Sequence, residues 1–408
     1  MTGRGGRLLL VAVAALVIAP WAPAGPGRAA GESNCVHTKP GVLAGTPWSL
    51  RRIQPERVWG LTTGKGVLVA VIDTGVDVRH PQLKGQVIGG PDVLGKPGGP
   101  STADCSGHGT GVAGIIVARP LPGLLFHGVA PGARVYSIRQ TDQPAFGPKR
   151  GTAAGMATAI RLAVRARAKV INISATTPVD VPVLRAAVAF AMAHDVVVVA
   201  AAGNDDPNNP TQDDPNAIYY PAAYPGVLAV ASSDRDDKRA DQSHAASYVK
   251  VAAPGKDVDT TGPNGGSKGL YVTQSGTSFA APYVAGTVAL VRAYYPHLSA
   301  AQVVARIMNT ADVPPVGVGG AKLGAGIVNP YHAVTAVIPA EGAAAARSPA
   351  PLQAAVPVSR PALDHRVRDR ALAAAAVAGV LALLIAVVAA VIPRGRAGRW
   401  RPGRAGGI

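Results

Sequence analysis

The chain has 408 residues, of which 15% are charged and 4% aromatic, and its formal net charge is +17. That length exceeds the ~100–200 residues of a typical domain, yet large α/β enzymes run longer as one body. The apolar composition excludes a disordered chain. The basic balance carries no aromatic-interleaved patch, and eight of the basic residues flank one apolar span near the C-terminus, so a nucleic-acid partner is excluded too.

Residues 1–24 place Arg4 and Arg7 before the apolar run LLLVAVAALVIAP and then small residues at Ala22 and Ala24. This is the three-part pattern of a secretory signal, with cleavage expected after Ala24. An uncleaved amino-terminal anchor is the alternative, and in either case the chain is exported. Residues 25–57 show no clear periodicity and read as an extension rather than a domain. They contain Cys35; the only other cysteine is Cys105. Outside the cell such a pair is expected to form a disulfide, with two free thiols as the alternative.

From residue 58 to 338, β-branched runs alternate with Ala-rich stretches. This predicts a doubly wound α/β body whose mostly parallel sheet is covered by helices on both faces. Strands are expected at 67–72, 134–138, 170–173, 196–201, 227–231 and 249–251, each a short Val/Ile/Ala run bounded by turn residues. Helices are expected at 109–117, 152–167, 181–194, 278–295 and 299–310. Residues 339–370 are Ala/Pro-rich and read as a stalk without a core of its own. Residues 371–392 carry no charge, and at 1.5 Å per residue they are long enough to cross a bilayer as one helix. Five arginines follow in residues 393–408, so the positive-inside rule puts that tail in the cytoplasm and the body outside, the orientation the signal sets independently.

Three segments of the body carry candidate chemistry. Asp73 ends the run VLVAVID and precedes Thr74-Gly75, which puts its carboxylate at the carboxyl edge of a parallel strand, where open α/β sheets hold their sites. Alone, such an Asp is more often a turn cap. His108 lies in SGHGTGVAGII at the start of a predicted helix. The flanking glycines predict an uncovered ring, and the helix amino-terminus should disfavour its protonated form. Ser278, in SGTSFAAPYVAGTVALV, falls in the first turn of another helix; an isolated serine there is ordinarily a cap. Here, however, Gly276 leaves room for a substrate backbone, and the helix start offers unpaired N–H groups to an oxyanion.

The segments DTGVDVRHPQL, GHGTGVAGII and GTSFAAPYVAG resemble the Asp, His and Ser motifs of the subtilisin-like serine proteases, in that family's chain order. The resemblance spans roughly residues 60–333. It implies Ser278 as nucleophile, His108 as general base and then acid, and Asp73 as the group that orients the imidazole. It also implies an oxyanion-hole donor at Asn204, which follows VVVVAAAG; the alternative is a turn-forming Asn after a strand. Ser174, Ala175 and Thr176 stand where the family pairs its substrate as an added strand. Two departures are visible. Gly111 replaces the histidine that commonly follows GHGT, and Ser-Ala-Thr-Thr replaces the family's Ser-Leu-Gly-Gly.

The wider layout of signal, cysteine-bearing extension, DCSGHGT string, subtilase body, stalk, span and basic tail is similar to the mycosins, membrane-bound subtilases of type VII secretion. That likeness implies protein or peptide substrates among exported proteins, a membrane setting and a secretion complex as partner. Two other roles fit the same sequence: a structural subunit of that complex whose proteolysis is dispensable, and a general degradative subtilase. No cofactor is expected, and no HExxH or Cys/His cluster supports a metal site. The loop DDPNNPTQDD after Asn204 has four carboxylates but no recognisable calcium-ligand spacing, and reads as a solvated loop, although a structural calcium is compatible with it.

Overall fold

The computed structural model describes residues 43–94, 101–142, 151–205, 214, 216–263, 269–314, 322–341 and 366–397. It divides into two compact units, Met1–Arg347 and Ser348–Ile408. The signal segment, Cys35 and most of the stalk lie outside the described residues.

In chain order the first unit begins with α1 (Trp48–Ile53), β1 (Leu68–Asp73), β2 (Val87–Asp92), α2 (His108–Val117) and β3 (Arg134–Arg139). It continues with α3 (Ala153–Arg165), β4 (Val170–Ile173), α4 (Pro182–Ala193), β5 (Val197–Ala201), β6 (Leu228–Ser233) and β7 (Val251–Pro254). A hairpin of β8 (Val258–Thr261) and β9 (Tyr271–Gln274) precedes α5 (Thr277–Tyr294), α6 (Ala300–Asn309) and α7 (Pro330–Thr335). All six expected strands and all five expected helices are present, with ends shifted by up to three residues. Among the described residues of this unit, α1, α7, β2, β8 and β9 and the short 3-10 turns Pro55–Val58 and Pro339–Glu341 are not among those expected.

One sheet holds seven strands in the order β2-β3-β1-β4-β5-β6-β7, all parallel. From β1 the chain goes first to the edge strand β2, returns through β3 beside β1, and then crosses to the other side, where it moves outward through β4 to β7. The winding therefore reverses at β1, and the carboxyl ends of β1 and β4 border a topological switch point, where such sheets open a crevice.

Alternation along the strands sorts the core. Val69 and Val71 of β1 face one apolar cluster together with α2 and α5, whereas Ala70 and Ile72 face another with α3 and α4. This is the period of two of a strand, applied to a sheet buried on both faces. Helix α5 is buried at every residue from Thr277 to Arg292, so the run TSFAAPYVAGTVALV is apolar all round because it has no solvent face. Burying each large aliphatic side chain contributes about 1.5–3 kcal/mol, enough for this helix to hold its first turn rigidly against β4 to β7.

The extension, in which no periodicity is legible, supplies α1. Its Trp48, Leu50 and Ile53 join the core, and Arg52 pairs with Asp237 and Asp312 at 2.7 and 2.9 Å. Six residues are too few for a helical period to be read. In the second unit, α8 (Arg366–Ala397) is a single helix with Pro393 inside it. Among the described residues no helix is long and apolar enough to cross a membrane; α8 reaches into the arginine-bearing flanks at both ends, so its bounds differ from the span expected at 371–392.

Candidate active site

Asp73 is the last residue of β1 and 1% exposed. A buried carboxylate costs several kcal/mol unless it is paired. Its Oδ1 accepts a hydrogen bond from the Thr74 amide at 2.7 Å and faces His108 Nδ1 at 2.7 Å. An ionised carboxylate only accepts, so Nδ1 carries a proton and Nε2 is the free, basic nitrogen.

His108 opens α2. Gly107 precedes it in the left-handed conformation at φ 78°, which turns the chain sharply into the helix. At Gly109 a Cβ would lie 2.1 Å from the carbonyl oxygen of Gly75; only glycine lets the helix start approach the end of β1 this closely. The uncovered ring expected from the glycines is not what the fold builds. His108 is 6% exposed, with the Phe279 ring edge-on at 4.8 Å. Burial works against the imidazolium, but the charge and hydrogen bond of Asp73 and the charge of Asp104 outweigh it, and the titration of His108 is raised above the ordinary imidazole value. The helix amino-terminus, expected to lower it, is overridden by the two carboxylates.

Ser278 is the second residue of α5 and 9% exposed. His108 Nε2 is buried and has no hydrogen-bond partner, so the ring is bonded to Asp73 on one side and makes no hydrogen bond to Ser278 on the other. Asn204 follows β5. Its Oδ1 accepts from the Thr277 amide at 2.9 Å and the Thr277 hydroxyl at 3.1 Å. A main-chain N–H only donates, which fixes the carboxamide with its oxygen on Thr277 and its NH2 group free to point elsewhere. A Cβ on Gly276 would lie 3.3 Å from Ser278 Oγ and 3.4 Å from Asn204 Nδ2. Glycine thus leaves open the space that both groups border, where a tetrahedral oxygen has room.

Ser174, Ala175 and Thr176 run on from β4 as irregular chain. The side chain of Ser174 is buried and donates to the Ser278 carbonyl at 2.8 Å. Ala175 is half-buried and Thr176 exposed. The missing histidine at Gly111 is also accounted for, since a Cβ there would meet Thr260 Cγ2 at 2.8 Å and Phe279 Cε1 at 3.2 Å. The Thr260 hydroxyl bonds the Gly111 carbonyl at 2.6 Å, so β8 fills the place a larger side chain would need.

Among the described residues no cluster of His, Cys, Asp or Glu is arranged to hold a metal ion. Most of the acidic loop after Asn204 lies outside them; Asp205 is paired with the buried His244. Cys105 is not a free thiol, and Cys35 lies outside the described residues. Sequence reasoning missed Thr277 as the holder of Asn204 and Phe279 as the cover of His108, although both lie inside the GTSF string.

Comparison with known proteins places the chain in a family. The Subtilase family (Peptidase_S8) matches residues 64–337. Mycosin-4 of Mycobacterium tuberculosis (strain ATCC 25618 / H37Rv) is 39% identical over 381 residues, covering 86% of this chain and 82% of that protein. Thermitase of Thermoactinomyces vulgaris is 37% identical over 70% of this chain and 94% of its own. Among solved structures, MycP1 from the ESX-1 type VII secretion system matches 76% of this chain and 91% of its own, at 33% identity and a TM-score of 0.63. A chain of the periplasmic assembly from the ESX-5 inner membrane complex matches 76% and 89%, at 34% identity and a TM-score of 0.62. The chain belongs to the subtilase family of serine endopeptidases, and within it to the mycosins.

Proposed function

We propose that the protein is a membrane-anchored endopeptidase that cleaves exported proteins at a type VII secretion complex, with Asp73, His108 and Ser278 as its triad. The strongest support is the 2.7 Å bond between Asp73 and His108, made at the same sheet edge as the start of α5. In this reading His108 Nε2 takes the Ser278 proton as Oγ attacks the scissile carbonyl. The oxyanion is met by the Ser278 main-chain N–H and Asn204 Nδ2. The imidazolium then gives its proton to the leaving amine, and water repeats the sequence on the acyl-enzyme. Extended substrate pairs with the backbone of residues 174–176.

The uncharged stretch 371–392 within α8 is the proposed anchor, with the arginine-rich tail in the cytoplasm and the body outside. The proposed Cys35–Cys105 disulfide ties the extension to the loop just before His108; a non-reduced digest recovering the two joined peptides supports it, and two alkylatable thiols in native protein reject it.

A second reading, a structural subunit, draws on the likeness to a chain of the ESX-5 periplasmic assembly. Comparing secretion in cells with no gene, wild type or Ser278→Ala separates the two. Secretion lost in both altered strains assigns the role to proteolysis. Secretion lost only without the gene assigns it to scaffolding, and secretion intact in all three contradicts the link to secretion.

A further inference from the structure

Asp104 is 5% exposed, and all of its hydrogen-bond partners donate to it. Its Oδ1 accepts from the Thr74 hydroxyl and the Gly107 amide, both at 2.9 Å. Its Oδ2 accepts from the Thr110 amide at 2.9 Å and the Thr110 hydroxyl at 2.7 Å. Neither hydroxyl has a choice of direction. The oxygen of Thr74 accepts from the Gly109 amide, and that of Thr110 from the Asp77 amide, each at 2.9 Å. Each hydroxyl therefore spends its one proton on Asp104. Four converging donors require a group that only accepts, which is an ionised carboxylate.

The partners are placed in a definite way. Thr74 follows Asp73, and Gly107 precedes His108. Thr110 lies in the first turn of α2, and its hydroxyl oxygen accepts from the Asp77 amide on the β1 side. From these contacts we infer that Asp104 is a positioning residue of the triad, a buried anion that staples the end of β1 to the first turn of α2 and so sets the Asp73–His108 contact. The inference rests on the proposed triad.

A purely mechanical strut would leave the electrostatics of His108 alone, and Asp104 does not. Two carboxylates act on the ring, Asp73 at the end of β1 and Asp104 in the loop before α2; from α5 it is faced by Phe279, which does not titrate. Asp104 adds to the attraction that holds the proton on His108, while its own titration is raised by burial against the pull of the Thr110 and Gly107 donors. Removing this charge while keeping the shape should lower the titration of His108, so that the free base survives to lower pH.

The test is the rate of fluorophosphonate labelling as a function of pH, in full-length wild type and Asp104→Asn. The amide turns two donors of its own towards N–H and O–H groups, so the staple is half broken. Labelling should slow about tenfold or more, and the midpoint of the acid limb should move down by roughly 0.3–1 pH unit. An unchanged midpoint, or a wild-type rate, overturns the inference. If Asp104→Asn does not fold, Thr74→Val removes one donor and keeps the charge. Slower labelling by several-fold is then expected, and a wild-type rate overturns the inference. Wild-type protein that does not label at all refutes the triad itself, which is a separate failure.

Discussion

Ser174 donates its hydroxyl to the main-chain carbonyl of Ser278 across 2.8 Å, and that carbonyl is the one Pro282 leaves without a helix partner. In an α-helix the carbonyl of residue 278 would accept from the amide of residue 282. Pro282 lies inside α5 and has no N–H to give. Asn172 Nδ2 in turn donates to the Ser174 oxygen at 3.0 Å and aims the hydroxyl. The end of β4 thereby completes the first turn of the helix that carries the proposed nucleophile.

Ser174→Ala should leave the buried carbonyl without a donor and cost about 1–3 kcal/mol of stability. Adding Pro282→Ala restores the amide, so the double variant should lose less than Ser174→Ala alone. Urea denaturation of the variants measures this; additive losses would show that the two residues do not serve the same carbonyl.

The pH dependence follows from His108. As the proposed general base it works only when neutral, and its titration is raised, with burial opposed by Asp73 and Asp104. A raised value means that protonation sets in at higher pH. The acid limb of kcat/KM should therefore have its midpoint above the ordinary imidazole value of about 6.5. A midpoint at or below that value, or a flat profile from about pH 5 to 8, counts against His108 as the base.

Asn204→Ala removes the carboxamide but leaves Thr277 and Ser278 in place. If Nδ2 meets the oxyanion, kcat should fall about 10²–10³-fold with KM little changed, the magnitude known for the oxyanion-hole asparagine of a subtilisin. Steady-state kinetics decide. A fall in kcat/KM carried by KM alone would make Asn204 a substrate-binding residue.

Much of this was legible before folding, and what was not has identifiable causes. The Val/Ile/Ala strands and the Ala-rich helices announce themselves by composition and length. Strand β2 does not, because VIGGPD places Gly89, Gly90 and Pro91 in its middle. At Gly90 a Cβ would meet the Ser137 carbonyl oxygen at 2.5 Å, so the glycine that hides the strand is what lets β3 pack beside it. Asp73, His108 and Ser278 are visible as motifs because each sits in a local string. The contacts that hold them are not, since Asp104 meets Thr74 across thirty positions and Ser174 meets Ser278 across more than a hundred. The burial of His108 escaped for the same reason: its cover, Phe279, comes from another helix.

The most direct test of the account treats full-length protein with a fluorophosphonate and maps the adduct by mass spectrometry in wild type, Ser278→Ala and His108→Ala. The account predicts an adduct on the peptide carrying Ser278 in wild type, none in Ser278→Ala, and a rate lowered by orders of magnitude in His108→Ala with the fold intact by circular dichroism. Undiminished labelling of Ser278→Ala, or an adduct on another serine, would contradict it.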